Sequence, residues 1–420
     1  MKIAIIGTGI SGLTVARGLA EHHDLHVFEA DDRIGGHTHT TQVRTAEGTL
    51  PVDTGFIVFN ERTYPNFCKL LDELDVPSRE TNMSFSLSCR QSGLEWSGDT
   101  INSLFAQRRN LLRPSFLAML RDVLRFNREG RRFLEDHRDL TLGEYLLSSG
   151  YSESFVHQFL LPLGAAIWST PAEEMKRFPA HSFIRFFENH GFLDLVGRPK
   201  WRTIRGGSQE YVRPLTRSFA DRIRTRCPVL RVVRLPGHVR LEFDGTPAEI
   251  FDEVVFAIHS DQALTLLADP SRSERQILGA LPYQRNLAVL HTDERALPRN
   301  QRAWASWNYL VPPDRSRPVA LTYWMNRLQG LQSNEQICVT LNPTFKIRPE
   351  RIQREIHYQH PLFTRAGIAA QKQKAEISGV NRTHYCGAYW RHGFHEDGVV
   401  SAIAVLDDIE HASQISRFAS

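Results

Sequence analysis

The chain has 420 residues, 41% of them hydrophobic and 23% charged, with 24 Phe and 7 Trp. Such a composition builds a buried core and excludes a disordered or collagen-like chain. The formal charge is only +4, yet the cations are 7 Lys against 44 Arg, a bias that names no partner until its distribution is read.

No apolar run reaches the ~18 residues of a membrane-crossing helix. The richest, residues 159–168, is broken by Pro162 and Gly164. The apolar start at Ile3 meets Gly7 too soon for a secretory signal, so none is expected. Cys68, Cys89, Cys227, Cys338 and Cys386 lie far apart without paired spacing, which excludes a zinc ribbon and suits a reducing cytoplasm.

Residues 2–6 read as a short buried strand. Gly7-Thr8-Gly9-Ile10-Ser11-Gly12 follows as a complete G-x-G-x-x-G, then a helix over 13–20 and a second strand over 25–28 ending in Glu29. The three glycines serve different physical ends. Gly7 allows the tight turn, Gly9 the approach of a pyrophosphate, and Gly12 the packing of helix on strand. The helix start near Ser11 offers free N–H groups to phosphates. Glu29 stands about 20 residues on, where an acid accepts hydrogen bonds from an adenosine ribose. The unit predicts a doubly wound, Rossmann-type α/β domain that binds a dinucleotide.

After Glu29 come Ala30, Arg33, Gly35, Gly36, His37 and Thr38, and later Thr54-Gly55-Phe56 behind Asp53. These segments resemble those of the flavin amine oxidases, phytoene desaturases and protoporphyrinogen oxidases. Further segments agree in order: Gly206-Gly207, Val229 after Pro228, Ala257 closing a strand, Gly387, and Glu396-Asp397-Gly398-Val399. The resemblance covers essentially the whole chain. It implies a non-covalent FAD, with Arg33, Gly35 and Gly36 closing over pyrophosphate and ribityl and a helix from Gly398 to about Ile409 aimed at the flavin. The implied cofactor residues are Gly7, Gly9, Ile10, Ser11, Gly12, Glu29, Ala30, Arg33, Gly35, Gly36, His37, Thr38, Thr54, Gly55, Phe56, Val229, Ala257, Gly387, Glu396, Asp397, Gly398 and Val399. His37 replaces a commoner Arg; a polar contact is expected there, a covalent link being the lesser alternative. Ala388 stands where an acid is usual, so that contact is either absent or supplied elsewhere, with Asp397 the candidate. No catalytic residue is forced.

More narrowly, His395-Glu396-Asp397-Gly398, the stretch 303–309 and Tyr358-Gln359-His360-Pro361 resemble bacterial NAD/FAD-binding oxidoreductases. These are encoded beside cyclopropane-fatty-acyl-phospholipid synthase-like methyltransferases. That resemblance implies dehydrogenation or a related redox change of an unsaturated or methyl-modified fatty acyl chain of a membrane phospholipid. The alternatives are a flavin amine oxidase on a soluble amine, or a non-catalytic flavoprotein partner of the lipid methyltransferase. Against the amine stands the absence of Lys in residues 283–292, which hold Arg285 and His291.

The expected FAD domain comprises 1–59, 202–269 and 378–420; the substrate domain comprises 60–201 and 270–377. The first insert reads as mainly helical. The second holds strands over 286–292, 303–310, 319–325 and 336–341, an antiparallel sheet with one face to the flavin. With no second G-x-G-x-x-G, oxygen or another carrier is the expected electron acceptor. His384, His392 and His395 with Glu396 lack the spacing of a helical zinc pair, so no metal is expected.

Residues 104–133 concentrate charge: eight Arg, at 108, 109, 113, 121, 125, 128, 131 and 132, face Asp122 and Glu129. Phe116, Met119, Leu120, Val123, Leu124 and Asn127 follow helical spacing after Pro114. This basic amphipathic helix is either a solvated face or a surface for anionic phospholipid headgroups on the inner membrane face. Nucleic acid is not expected, since no recognition module accompanies the charge.

Overall fold

The alternating Ile and Ala of the N-terminus do form a strand. The computed structural model describes residues 1–136, 138–194, 196–312 and 320–418. Its first half contains β1 (Lys2–Ile6), α1 (Ile10–Leu19), β2 (Asp24–Phe28), α2 (Pro65–Glu73), β3 (Phe85–Cys89), β4 (Leu94–Ser97), α3 (Pro114–Phe133) and α4 (Ala180–Asn189). The second contains β5 (Ile223–Arg224), β6 (Glu253–Phe256), β7 (Tyr283–His291), β8 (Trp307–Leu310), β9 (Ala320–Trp324), β10 (Cys338–Leu341), β11 (Ile352–Pro361), β12 (Thr383–Tyr385) and α5 (His395–Phe418).

A parallel five-stranded sheet runs β5-β2-β1-β6-β12. Ile3, Ala4 and Ile5 are fully buried, as a central parallel strand covered on both faces requires. α5 lies across α1, where Gly18 leaves the space that Leu406 fills. This is the doubly wound α/β domain expected from the glycine motif.

A seven-stranded sheet runs β11-β7-β10-β9-β8-β3-β4. Every junction is antiparallel except β8 with β3. The expected all-antiparallel sheet of four strands is therefore corrected. β3 and β4 enter from the helical insert, and the long excursion between β3 and β8 leaves room for a parallel crossover. β11 is an edge strand with outward Arg and Glu, which breaks the alternation that marks a half-buried strand. Val319, the expected start of β9, lies outside the described residues.

The lobes interleave. Phe67, Leu70 and Leu71 of α2 share a core with Val405 and Ile409 of α5. Val43 and Val52, on a hairpin following the glycine motifs, share one with Ala288 and Val339 of the large sheet. α3 buries Phe116, Met119, Phe126, Asn127 and Phe133. Leu124, expected on that face, is 57% exposed instead, because Phe126 and Phe133 continue the buried stripe and turn Leu124 outward. Among the described residues no helix is long and apolar enough to cross a membrane.

Candidate active site

The glycine turn is built as its spacing requires. Gly7 sits at φ +104°, where a Cβ would come 2.6 Å from the Ala257 carbonyl oxygen, and its N–H donates to Phe28 at 2.8 Å. A Cβ on Gly12 would lie 2.1 Å from the Gly7 oxygen. A Cβ on Gly9 meets nothing within 4 Å. That vacancy opens on a cavity of about 910 Å³, and no side chain caps the start of α1 there. The site thus keeps backbone N–H groups and space for an anion.

Glu29, at the end of β2, accepts from the N–H groups of Thr8 (3.1 Å) and Asp31 (3.0 Å) and from the Thr8 hydroxyl. Its carboxylate is thereby held on the cavity wall. The double glycine then folds back: Gly35 N–H donates to Thr8 O at 3.0 Å, and a Cβ on Gly36 would stand 3.0 Å from Gly9 Cα.

Gly7, Gly9, Ile10, Ser11, Glu29, Ala30, Gly36, His37, Thr54, Gly55, Phe56, Val229, Ala257 and Gly387 all line this one cavity. Eight other expected residues do not, and their contacts say why. Gly12 and Gly35 serve turn packing. Arg33 reaches back to Thr38 O at 3.4 Å, and the Thr38 hydroxyl is engaged by Tyr211. Gly398 lets α5 approach α1, where a Cβ would meet Ile10 and Ser11, and Val399 is core. Glu396 caps α2, accepting from Asn66 N (3.1 Å), Asn66 Nδ2 (2.6 Å) and Phe67 N (2.9 Å). Asp397 accepts from His392 N (3.2 Å) and Phe394 N (2.9 Å), fixing the loop before α5. Of the two alternatives for the acid missing at Ala388, supply by Asp397 is the one this engagement disfavours: Asp397 faces a second, smaller cavity of about 320 Å³.

The cavity has two chemically distinct ends. Among the described residues, Glu29, Asp31 and Asp261 are its only carboxylates, and no Lys or Arg lines it. The other end is built from Ile57, Val58, Met83, Ile167, Trp168, Phe186, Phe192, Trp307, Tyr323, Leu328 and Leu341. β7 presents Tyr283 to the cavity. His291 of the same strand turns away to Thr340 Oγ1 at 2.7 Å.

Between the ends stands a wall of rings that the cofactor motifs do not include. Tyr358 stacks on His37 with centroids 5.1 Å apart, His360 lies 5.5 Å from His37, and His259 stacks on Tyr283 at 4.3 Å. The alternation of Tyr358 and His360 along β11 is the signal that could have found them. His395 Nε2 bonds Tyr211 OH at 2.7 Å. Burial holds these rings neutral: it lowers His37 and His259 to about 4, and His360 and His395 to about 3. Burial raises Asp53 to about 6, against donation from Thr40 and Ser208. Among the described residues, His37 Nε2 has no hydrogen-bond partner. His384 pairs instead with Glu253 at 3.4 Å, so the His384, His392, His395 and Glu396 set does not converge.

A family model for flavin containing amine oxidoreductases matches residues 10–409. The chain belongs to that family. Its residues fit the FAD that the family implies: an open Gly9, a carboxylate fixed at Glu29 and, among the described residues, an unpartnered ring nitrogen at His37. A Mycobacterium tuberculosis protein named as a flavin-containing monoamine oxidase, AofH, is 24% identical over 287 residues, 64% of this chain and 59% of its own. The chain thus spans less than two thirds of the curated relatives it matches. Putrescine oxidase bound to putrescine superposes with TM-score 0.67 at 15% identity, covering 98% of this chain and 99% of its own. A CLA-producing fatty acid isomerase from P. acnes gives 0.64, also at 15%, covering 96% and 97%. These likenesses show the fold of the flavin-containing amine oxidoreductase family carried through the chain.

Proposed function

We propose that this oxidoreductase acts on a long apolar substrate, a fatty acyl chain, removing two hydrogens from adjacent carbons or carrying out a related redox step. The supporting observation is the apolar end of the cavity, which carries aromatic and aliphatic side chains and no carboxylate among the described residues. A buried ammonium would find no counter-charge there, and desolvating it unpaired is costly. An acyl chain needs only the removal of water.

Bound FAD, held by the glycine turn at Gly7 and Gly9 and by Glu29, would supply a two-electron acceptor for the hydride that the substrate gives up, the matching proton passing to solvent. The chain's own part is position, dryness and neutrality. Trp168, Phe186, Trp307 and Tyr323 line the cavity with rings that exclude water. His37, His259 and His360 present uncharged rings at neutral pH. A soluble amine is the second reading, favoured by the family match over residues 10–409.

Anaerobic bleaching of the flavin decides between them. Unsaturated or methyl-modified acyl chains, free or in phospholipid, are expected to reduce it, and putrescine and monoamines are not. Reduction by amines alone would overturn the acyl reading.

A further inference from the structure

α3 presents a second pattern on its outer face. Leu117, Arg121, Leu124, Arg128 and Arg132 recur every three or four residues and are all exposed, so they form one stripe. Leu117 is 45% and Leu124 57% exposed, and just before the helix Leu111 is 49% and Leu112 88% exposed. Ile101 adds another apolar side chain at 79%. Apolar side chains gathered this way, rather than scattered singly, mark an interaction surface.

The charge of this surface is unbalanced because its two acids are spent inward. Asp122 is fully buried and accepts from Ser152 N at 2.8 Å and from Arg121. Glu129 accepts from Arg125 at 3.1 Å and from Tyr151 OH at 2.9 Å. Arg131 is taken by Asp194. Among the described residues, Arg108, Arg109, Arg113, Arg128 and Arg132 have no carboxylate partner; Arg108 and Arg109 donate only to Asn102, Phe105 and Gly93.

We propose that this face, from Ile101 through Arg132, docks the protein on an anionic lipid bilayer. The arginines would meet the headgroup phosphates, while Leu111, Leu112, Leu117 and Leu124 enter the interface. Interleaved leucine and unpaired arginine complement that environment, which is apolar within and negative at its surface. A nucleic acid would pair with the cations but leave the leucines in water. The surface is independent of which substrate the cavity takes.

Arg125 is not part of the docking set. It is half-buried, lies 4.0 Å over the Tyr151 ring and donates to Ser149 O, so removing it would disturb packing. The test therefore uses the intact holoprotein with two variants: Arg113→Gln/Arg128→Gln/Arg132→Gln, and Leu112→Ser/Leu124→Ser. Sedimentation with vesicles of phosphatidylcholine alone and with about 30% phosphatidylglycerol reads the partition. The holoprotein is expected to bind only the anionic vesicles and to release as salt rises. Each arginine is worth about fivefold in partition, so the triple variant should lose about a hundredfold. The leucine variant should lose binding without losing its salt dependence. The flavin spectrum and unfolding midpoint should stay those of the parent. No binding to anionic vesicles, equal binding by the triple variant, or retention on a polyanion without vesicle binding would each overturn the proposal.

Discussion

The ring of His395 lies flat on that of Phe56, with centroids 3.8 Å apart and planes 8° from parallel. One ring belongs to the N-terminal flavin motifs and the other opens the last helix. The stack closes the cavity between them, and the bond from His395 to Tyr211 anchors it. His395→Ala should cost about 2–4 kcal/mol, from lost packing and an orphaned tyrosine hydroxyl. His395→Phe keeps the stack and should cost less. Thermal unfolding of the two variants, with FAD content measured alongside, checks the difference.

Acid should unfold the protein early. Burial lowers His37, His39, His190, His259 and His291 to about 4, and His360 and His395 to about 3. Unfolded, these histidines titrate near 6.5, so the unfolded chain binds more protons as pH falls from about 6.5 towards 4, and stability falls with it. Asp53 and Asp397, raised to about 6, act oppositely and lose stability as pH rises from about 4 through 6. Seven groups outweigh two. The unfolding midpoint should drop between about pH 6.5 and 5; a rise there would contradict neutral buried histidines.

Two glycines of one motif should fail differently. Gly9→Val places its side chain in the open cavity at an extended backbone, so the protein should fold but purify colourless. Gly12→Ala drives a Cβ into the Gly7 carbonyl and should reduce soluble yield before cofactor binding can be tested. Circular dichroism and flavin absorbance separate the outcomes.

FAD should leave on acid precipitation. Glu29→Ala should weaken its retention about tenfold while secondary structure persists, since Glu29 stands at a strand end and, among the described residues, its carboxylate accepts only from Thr8 and Asp31. Chromophore retained in the acid pellet would instead indicate a covalent bond, and His37 would be the first residue to replace.

On the arginine-rich helix, Arg125→Gln should lower stability by about 1–2 kcal/mol through the lost contacts to Glu129 and Tyr151. Arg128→Gln, exposed and without a carboxylate partner among the described residues, should leave the denaturation midpoint unchanged. Urea titrations of the pair provide the check.

The nucleotide half of the site was legible because its constraints are local. Gly7, Gly9 and Gly12 do within six residues what the spacing implies, and Glu29 lies on the very next strand. The roles of Glu396 and Asp397 were not legible. A carboxylate before a glycine reads the same whether it faces a cofactor or caps α2 more than 300 residues away, and only the packing of α5 decides. Tyr358 and His360 stood out only as part of a motif, and their place beside His37 was hidden for a related reason. β11 is an edge strand whose exposed face carries charge, and its partner β7 lies some 70 residues before it in the chain. On α3 the period was readable, but Leu and Phe compete for one buried stripe, and volume awarded it to Phe126 over Leu124.

The crossing of α5 over α1 orders events during synthesis. The glycine turn and its helix emerge well before Leu406, which fills the space that Gly18 leaves. β12, the outermost parallel strand, also pairs late, through Thr383 to Tyr385. A chain still held by the ribosome therefore carries the phosphate-binding turn with one flank uncovered. A truncation before His395 is therefore expected to leave the phosphate-binding turn formed but its hold on the cofactor weakened.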